Sequence, residues 1–309
     1  MEKIITILEV IMPILAAVGL GMLARHKNLI SAEGIGGFQK FVMQFGLPCV
    51  VFNSCLMAQM GAESLVSMAL AAVIILVGSL WAFGARKRRY PYHNFPMLFS
   101  AQETGMLGIP LVIILFGAEH SYRMGVLDLA QAVVAYPVIA LLSADTGENP
   151  DAGEILRKVL KSPLVIMSAL GLVLNFTGAR AWMDGVGILN VVTKSTGFLT
   201  EPVSALMLFS VGYNFSLGKD SRGTIFRISA IHFIMLAVMG AAAQLALCLI
   251  PQVDAITRWV LALYCILPGS YLTPGLGRCE KDYTMASGVC SVLTVTALLC
   301  FCVMTTILA

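Results

Sequence analysis

Charge is what this sequence has least of. Of its 309 residues only 12% are Asp, Glu, Lys or Arg, against 58% hydrophobic residues, and the mean hydropathy is +0.87. Soluble domains carry about 25% charged residues, so a water-facing globule is excluded and an all-α polytopic membrane protein is expected. The net charge of +3 suggests no nucleic-acid partner, because no basic stretch is interleaved with aromatics. There is no G-x-x-x-x-G-K-[ST] phosphate loop, which removes ATP-driven transport by this chain alone, and no H-E-x-x-H metal motif. The eight cysteines show no C-x-x-C or Cys/His spacing and are read as small apolar residues, so no disulfide framework, metal or other cofactor is expected. His232 lies in an apolar stretch without a nucleophile or base near it in sequence, and nothing points to an enzyme.

What the sequence does have is apolar blocks separated by short polar loops. Ten membrane spans are expected, over 4–24, 37–56, 65–83, 96–116, 123–142, 163–176, 197–216, 225–248, 256–276 and 283–308. The first is expected to stay as an anchor rather than act as a cleaved signal, because Arg25 and Lys27 follow it while only Lys3 precedes it. With the N-terminus outside, only Lys3, Arg123, Arg180, Lys194 and Arg258 of the 20 lysines and arginines fall outside. The run Arg86-Lys87-Arg88-Arg89 is the strongest inner marker, and an even span count returns the C-terminus to the outside of the cytoplasmic membrane.

The polar connection 143–162 divides the chain into two halves, 1–142 and 163–309, of five expected spans each. An odd number of spans per half inserts the second half upside down, the arrangement from which transporters build two-sided access. The scaffold and transport parts are then each drawn from both halves. Pro110 and Pro268 sit in the fourth span of their halves and are followed at equal spacing by Gly117 and Gly275, while the second spans carry Pro48 and Pro202.

Both fourth spans break the rules of a quiet helix. The first contains Gln102-Glu103-Thr104-Gly105-Met106-Leu107-Gly108-Ile109-Pro110, and its counterpart Ile266-Leu267-Pro268-Gly269-Ser270-Tyr271-Leu272-Thr273-Pro274-Gly275. Proline removes a backbone donor, and irregular backbone at membrane depth survives only where protein or a wet cavity satisfies it. A pair of such segments at matching positions points to a midplane site; paired proline kinks with packing roles alone are the alternative.

The patterns Thr104-Gly105-Met106-Leu107-Gly108-Ile109-Pro110-Leu111 and Phe209-Ser210-Val211-Gly212-Tyr213-Asn214-Phe215-Ser216 resemble the auxin efflux carrier family of bacteria and plants, within the sodium/proton-antiporter and bile-acid-symporter type of fold. Leu267-Pro268, Tyr283, Ala286, Ser287 and Thr294 add to the resemblance, which covers essentially the whole chain. It implies ten helices, a scaffold and a transport domain, and two helices crossing near Pro110 and Pro268 beneath a small organic anion such as an auxin, malate or malonate. One departure stands out. Glu103 occupies the place where the resembled family usually has asparagine.

An ionisable residue at membrane depth is costly enough that function is the default expectation for Glu103. Asp128 and Gln131, three apart on one helix face, are expected to join it in an ion-coupling site for a proton or sodium ion. The expected solute contacts are Asn53, Glu103, Thr104, Gly105, Asn214, Ser270 and Tyr271. Asn175, Gln244 and His232 are read as packing or interhelical hydrogen-bond residues, and Glu201 as open between a helix-start charge and a functional one. Gly240-Ala241-Ala242-Ala243 allows close helix packing or a homodimer contact. The expected partners are membrane lipid and a small solute, a carboxylate first; a cation/proton exchanger or sodium-coupled symporter using Glu103 and Asp128 is the alternative.

Overall fold

The computed structural model describes residues 2–57, 61–144, 157, 161, 163–215, 222–250 and 253–308. Among these the chain is helical, with a single isolated antiparallel bridge and no strand. In order the helices are α1 (Glu2–His26), α2 (Ala32–Phe41), α3 (Leu47–Met57), α4 (Ala62–Arg88), α5 (Ile109–Phe116), α6 (Ser121–Ala144), α7 (Pro163–Phe176), α8 (Ala179–Gly185), α9 (Ile188–Thr200), α10 (Val203–Asn214), α11 (Arg222–Cys248), α12 (Ala255–Tyr264) and α13 (Glu280–Leu308). Most of the connection 143–162 lies outside the described residues.

Prolines set where these helices are interrupted. Val42–Gly46 forms a π-helical turn immediately before Leu47-Pro48, and Thr104–Gly108 forms another immediately before Ile109-Pro110. The wider turn is the local answer to a ring that clashes with the preceding carbonyl and brings no N–H. Pro202 instead separates α9 from α10. The seventh expected span, 197–216, takes in the end of α9, the break at Glu201-Pro202 and all of α10. Helical structure begins at Ile188, behind Gly187 with φ 76°, and runs through mixed polar and apolar residues that hydropathy alone does not mark. After α7, Gly178 with φ 77° turns the chain by 75° into α8.

Four helices among the described residues are long and apolar enough to cross a membrane unaided: Ala32–Met57, Ala62–Arg86, Arg222–Cys248 and Glu280–Leu308. The bent pair Val165–Phe176 and Ala179–Gly185 makes a further candidate. Their outer faces are apolar, with Leu80 71%, Leu245 70% and Leu299 63% exposed, as expected where lipid replaces water.

Two long-range pairings organise the bundle. Helix α1 lies on α10 and α7 lies on α3. Glycine permits both contacts. A Cβ on Gly212 would stand 1.9 Å from the Val18 carbonyl oxygen, and one on Gly171 would stand 2.7 Å from that of Phe52. Helix α4 packs on α6, and α11 on α13. The largest buried cluster, which includes Leu47, Val51, Leu107, Leu127, Leu261 and Leu267, surrounds the place where the two interrupted segments meet.

At one end of the bundle Arg123 ties α6 to α12. It forms an ion pair with Asp254, donates from Nε to Thr257 Oγ1 at 3.0 Å and lies 2.6 Å from His120 Nδ1. Asp254 also caps α12 by accepting from Thr257 N at 2.7 Å. Burial pushes the Asp254 carboxyl upward, but hydrogen bonds from Thr257 and the charge of Arg123 outweigh it and hold the group below its ordinary value.

Candidate functional site

The two unwound stretches pair with each other through their backbones. Glu103 N donates to the Pro268 carbonyl at 2.9 Å and Ser270 N to the Ala101 carbonyl at 2.9 Å, placing Gln102 opposite Gly269 in the isolated bridge. Backbone groups freed where the two helices unwind are thus satisfied by each other. Gly269 makes the crossing close enough, since a Cβ there would lie 2.6 Å from the Leu98 carbonyl oxygen. Pro268 is part of this pairing; Pro110 lies beyond it, in the first turn of α5.

Glu103 fastens the crossing from the side. Its Oε1 accepts from Met106 N at 3.1 Å, capping the turn that leads into α5, while its Oε2 accepts from Tyr271 N at 2.6 Å on the other segment. Two acceptor oxygens serve two backbone donors from two chain segments. An asparagine offers one acceptor oxygen and an amino group, and the amino group cannot take the place of the second acceptor.

Beside this staple lies a polar network on α6. Gln131 Oε1 accepts from Gln102 N, and its Nε2 donates to Thr104 Oγ1 at 2.9 Å, to the Gln102 carbonyl at 3.2 Å and to Asp128 Oδ1 at 3.2 Å. Thr104 Oγ1 donates to Asp128 Oδ1 as well. The Asp128 Oδ2 atom has no hydrogen-bond partner among the described residues. A Cβ on Gly105 would make only ordinary contacts, with Leu47 at 3.6 Å and Met43 at 3.9 Å.

On the α13 side of Tyr271 a cavity of about 560 Å³ opens between α10, the segment after the crossing, and α13. Arg25, Asn214, Tyr271, Ser287, Cys290 and Thr294 are among its lining residues. The Tyr271 hydroxyl is 2.6 Å from Thr294 Oγ1, which in turn donates to the Cys290 carbonyl at 2.7 Å. This mirrors the bonding of Thr104 to α6, with the segment after each crossing strand tied to the last helix of its own half.

Of the residues the sequence singled out, Glu103, Thr104, Asp128, Gln131, Ser270 and Tyr271 come together at the crossing, and Asn214 joins Tyr271 on the cavity wall. Asn53 does not. Its Oδ1 accepts from Thr196 Oγ1 at 2.7 Å, joining α3 to α9. Asn175 donates to the Cys55 carbonyl at 2.9 Å and Gln244 to the Arg258 carbonyl at 2.8 Å, so both are interhelical ties. His232 Nε2 lies 3.0 Å from the Leu98 carbonyl oxygen, bracing the 3-10 turn Pro96–Phe99 that Gly269 approaches. Gln102 is a residue that sequence reasoning passed over. It is 2% exposed, yet neither atom of its side-chain amide has a partner among the described residues. Arg25 was read only as a topology marker, because nothing in sequence links it to a segment near 214 or 290. Among the described residues no group of three or more His, Cys, Asp or Glu could hold a metal.

A sequence model of the family described as "Membrane transport protein" matches residues 6–307. None of the curated proteins compared with the chain matches it.

Proposed function

The chain belongs to the membrane transport protein family, that of the auxin efflux carriers, and from that premise we propose that it is a secondary transporter moving a small organic acid across the cytoplasmic membrane by alternating access at the crossing. The observation that carries this reading is the hydrogen-bonded crossing of two unwound segments with a cavity beside it that Tyr271 and Asn214 line. A carrier needs backbone and polar side chains within reach of a solute that is exposed to one side at a time. The reciprocal packing of α1 on α10 and α7 on α3 supports ten spans in two inverted halves, 1–142 and 163–309, joined by a cytoplasmic 143–162. In that topology both termini lie outside and the cavity beside Arg25 faces the cytoplasm.

Purified protein in liposomes is expected to catalyse saturable counterflow of at least one small carboxylate. Replacing Gly269 with leucine should abolish it by driving a side chain into the Leu98 backbone. Conductive, non-saturable flux, or unaltered counterflow in the variant, would overturn the reading.

Asp128 supports a second element, coupling to a proton or sodium ion. It is the crossing carboxylate with an oxygen left without a partner, whereas both Glu103 oxygens hold backbone amides. Coupling therefore belongs to Asp128, with Thr104 and Gln131 as its neighbours and Glu103 as the staple.

A further inference from the structure

Arg25 stands at the end of α1 and uses only part of its guanidinium. Nη1 donates to the carbonyls of Tyr213 at 3.2 Å and Phe215 at 2.7 Å, closing the end of α10. Neither Nε nor Nη2 has a partner among the described residues. Those two nitrogens form one straight edge of the guanidinium, the edge that matches a carboxylate through two parallel hydrogen bonds.

The placement of that edge gives it a use. Arg25 borders both the 560 Å³ cavity beside the crossing and a smaller cavity of about 360 Å³ lined by Met22, His26, Gly212 and Phe215. The described lining of the larger cavity includes Arg25 but no Asp or Glu. The same lining includes hydroxyl-bearing residues of α13 such as Ser287, and Asn214 offers an amide without a partner among the described residues. Ala32, the first residue of α2, brings the positive end of a helix to the same wall. The volume suits a small organic molecule, for which pockets of about 300–1,000 Å³ are usual.

We propose that Arg25 is the specificity-determining residue of this cavity: its Nε and Nη2 edge receives a carboxylate of the solute while Nη1 stays on the end of α10. The inference rests on the proposed reading that this cavity admits the transported solute, and it adds the residue that selects charge. A neutral analogue of the same shape gains nothing from the arginine. A carboxylate does, and both oxygens of the Glu103 carboxylate are turned to backbone amides, those of Met106 and Tyr271.

The test is thermal-shift titration of the purified full chain with acetate, malonate, malate and indole-3-acetate, at constant ionic strength, beside the neutral amides malonamide and indole-3-acetamide. The wild type is expected to be stabilised by at least one acid and not by its amide. Arg25→Gln, which retains a donor for the α10 carbonyls, should weaken that acid by roughly tenfold to a hundredfold, the loss of a charge-assisted pair. Ala32→Glu leaves every Arg25 bond to α10 in place and should weaken the acid as well, so the outcome does not depend on how well Arg25→Gln folds. Equal affinity in wild type and both variants, or no stabilisation of the wild type by any of the acids, would overturn the proposal. If an acid binds through Arg25 but shows no counterflow in liposomes, the selectivity assignment stands and the transporter reading fails.

Discussion

Glu103 shows how one residue can be legible in kind while its partners stay hidden. A carboxylate in an apolar stretch announces itself in sequence, and the default expectation for it is function. The tertiary fold adds what sequence cannot supply, the Tyr271 amide arriving from the other half of the chain to take the second oxygen. Glu103→Gln is expected to destabilise the protein by roughly 1.5–3 kcal/mol, since one of two charge-assisted bonds is lost, while any gradient dependence of uptake persists. Asp128→Asn should do the reverse, sparing the melting temperature and removing the dependence on proton or sodium gradient. Melting curves and liposome uptake at varied pH and sodium separate the two; loss of coupling in Glu103→Gln alone would reverse the assignment. Asp254 gives a pH prediction of known sign. Its carboxyl is held below the ordinary value in the folded protein, so its stabilising contribution is present above about pH 4, the unfolded value, and is lost as pH falls through the lower folded value. Asp254→Asn keeps the helix cap but not the charge, and should lower stability at neutral pH by ~0–1 kcal/mol, as for a partly exposed pair. The difference in melting temperature should vanish in acid.

At the scale of elements, proline and glycine carried the readable signal. Pro48, Pro110, Pro202 and Pro268 all mark interruptions, and sequence located both broken segments. It could not show that the strands pair at Gln102 and Gly269, because backbone pairing between segments so far apart leaves no local pattern. Nor could it tell which glycine is sterically required. A Cβ at Gly105 would make ordinary contacts, the nearest at 3.6 Å, whereas one at Gly269 would collide with backbone at 2.6 Å. Gly105→Ala should therefore leave melting temperature and uptake near wild type. Gly269→Ala should destabilise by about 1–3 kcal/mol, as overpacking does, and impair uptake. Similar behaviour of the two variants would show that the crossing is looser than its geometry states. The start of α9 at Ile188 was hidden for a different reason, its mixture of Asn190, Thr193 and Lys194 with apolar residues.

At the scale of the molecule, composition alone dictated a helical membrane protein, and the long apolar helices and family match agree with it. The reciprocal contacts of α1 with α10 and α7 with α3 give the proposed inverted halves a physical basis. The central claim is that the cavity beside the crossing is the cytoplasm-facing half of an alternating pathway. Its most direct test is labelling of Ser291→Cys, on the cavity wall, in a functional background lacking the native cysteines, by a membrane-impermeant maleimide. The account predicts rapid labelling in inside-out vesicles, slowed by a transported carboxylate; labelling only from the outer face, or labelling that no transported solute slows, would contradict it.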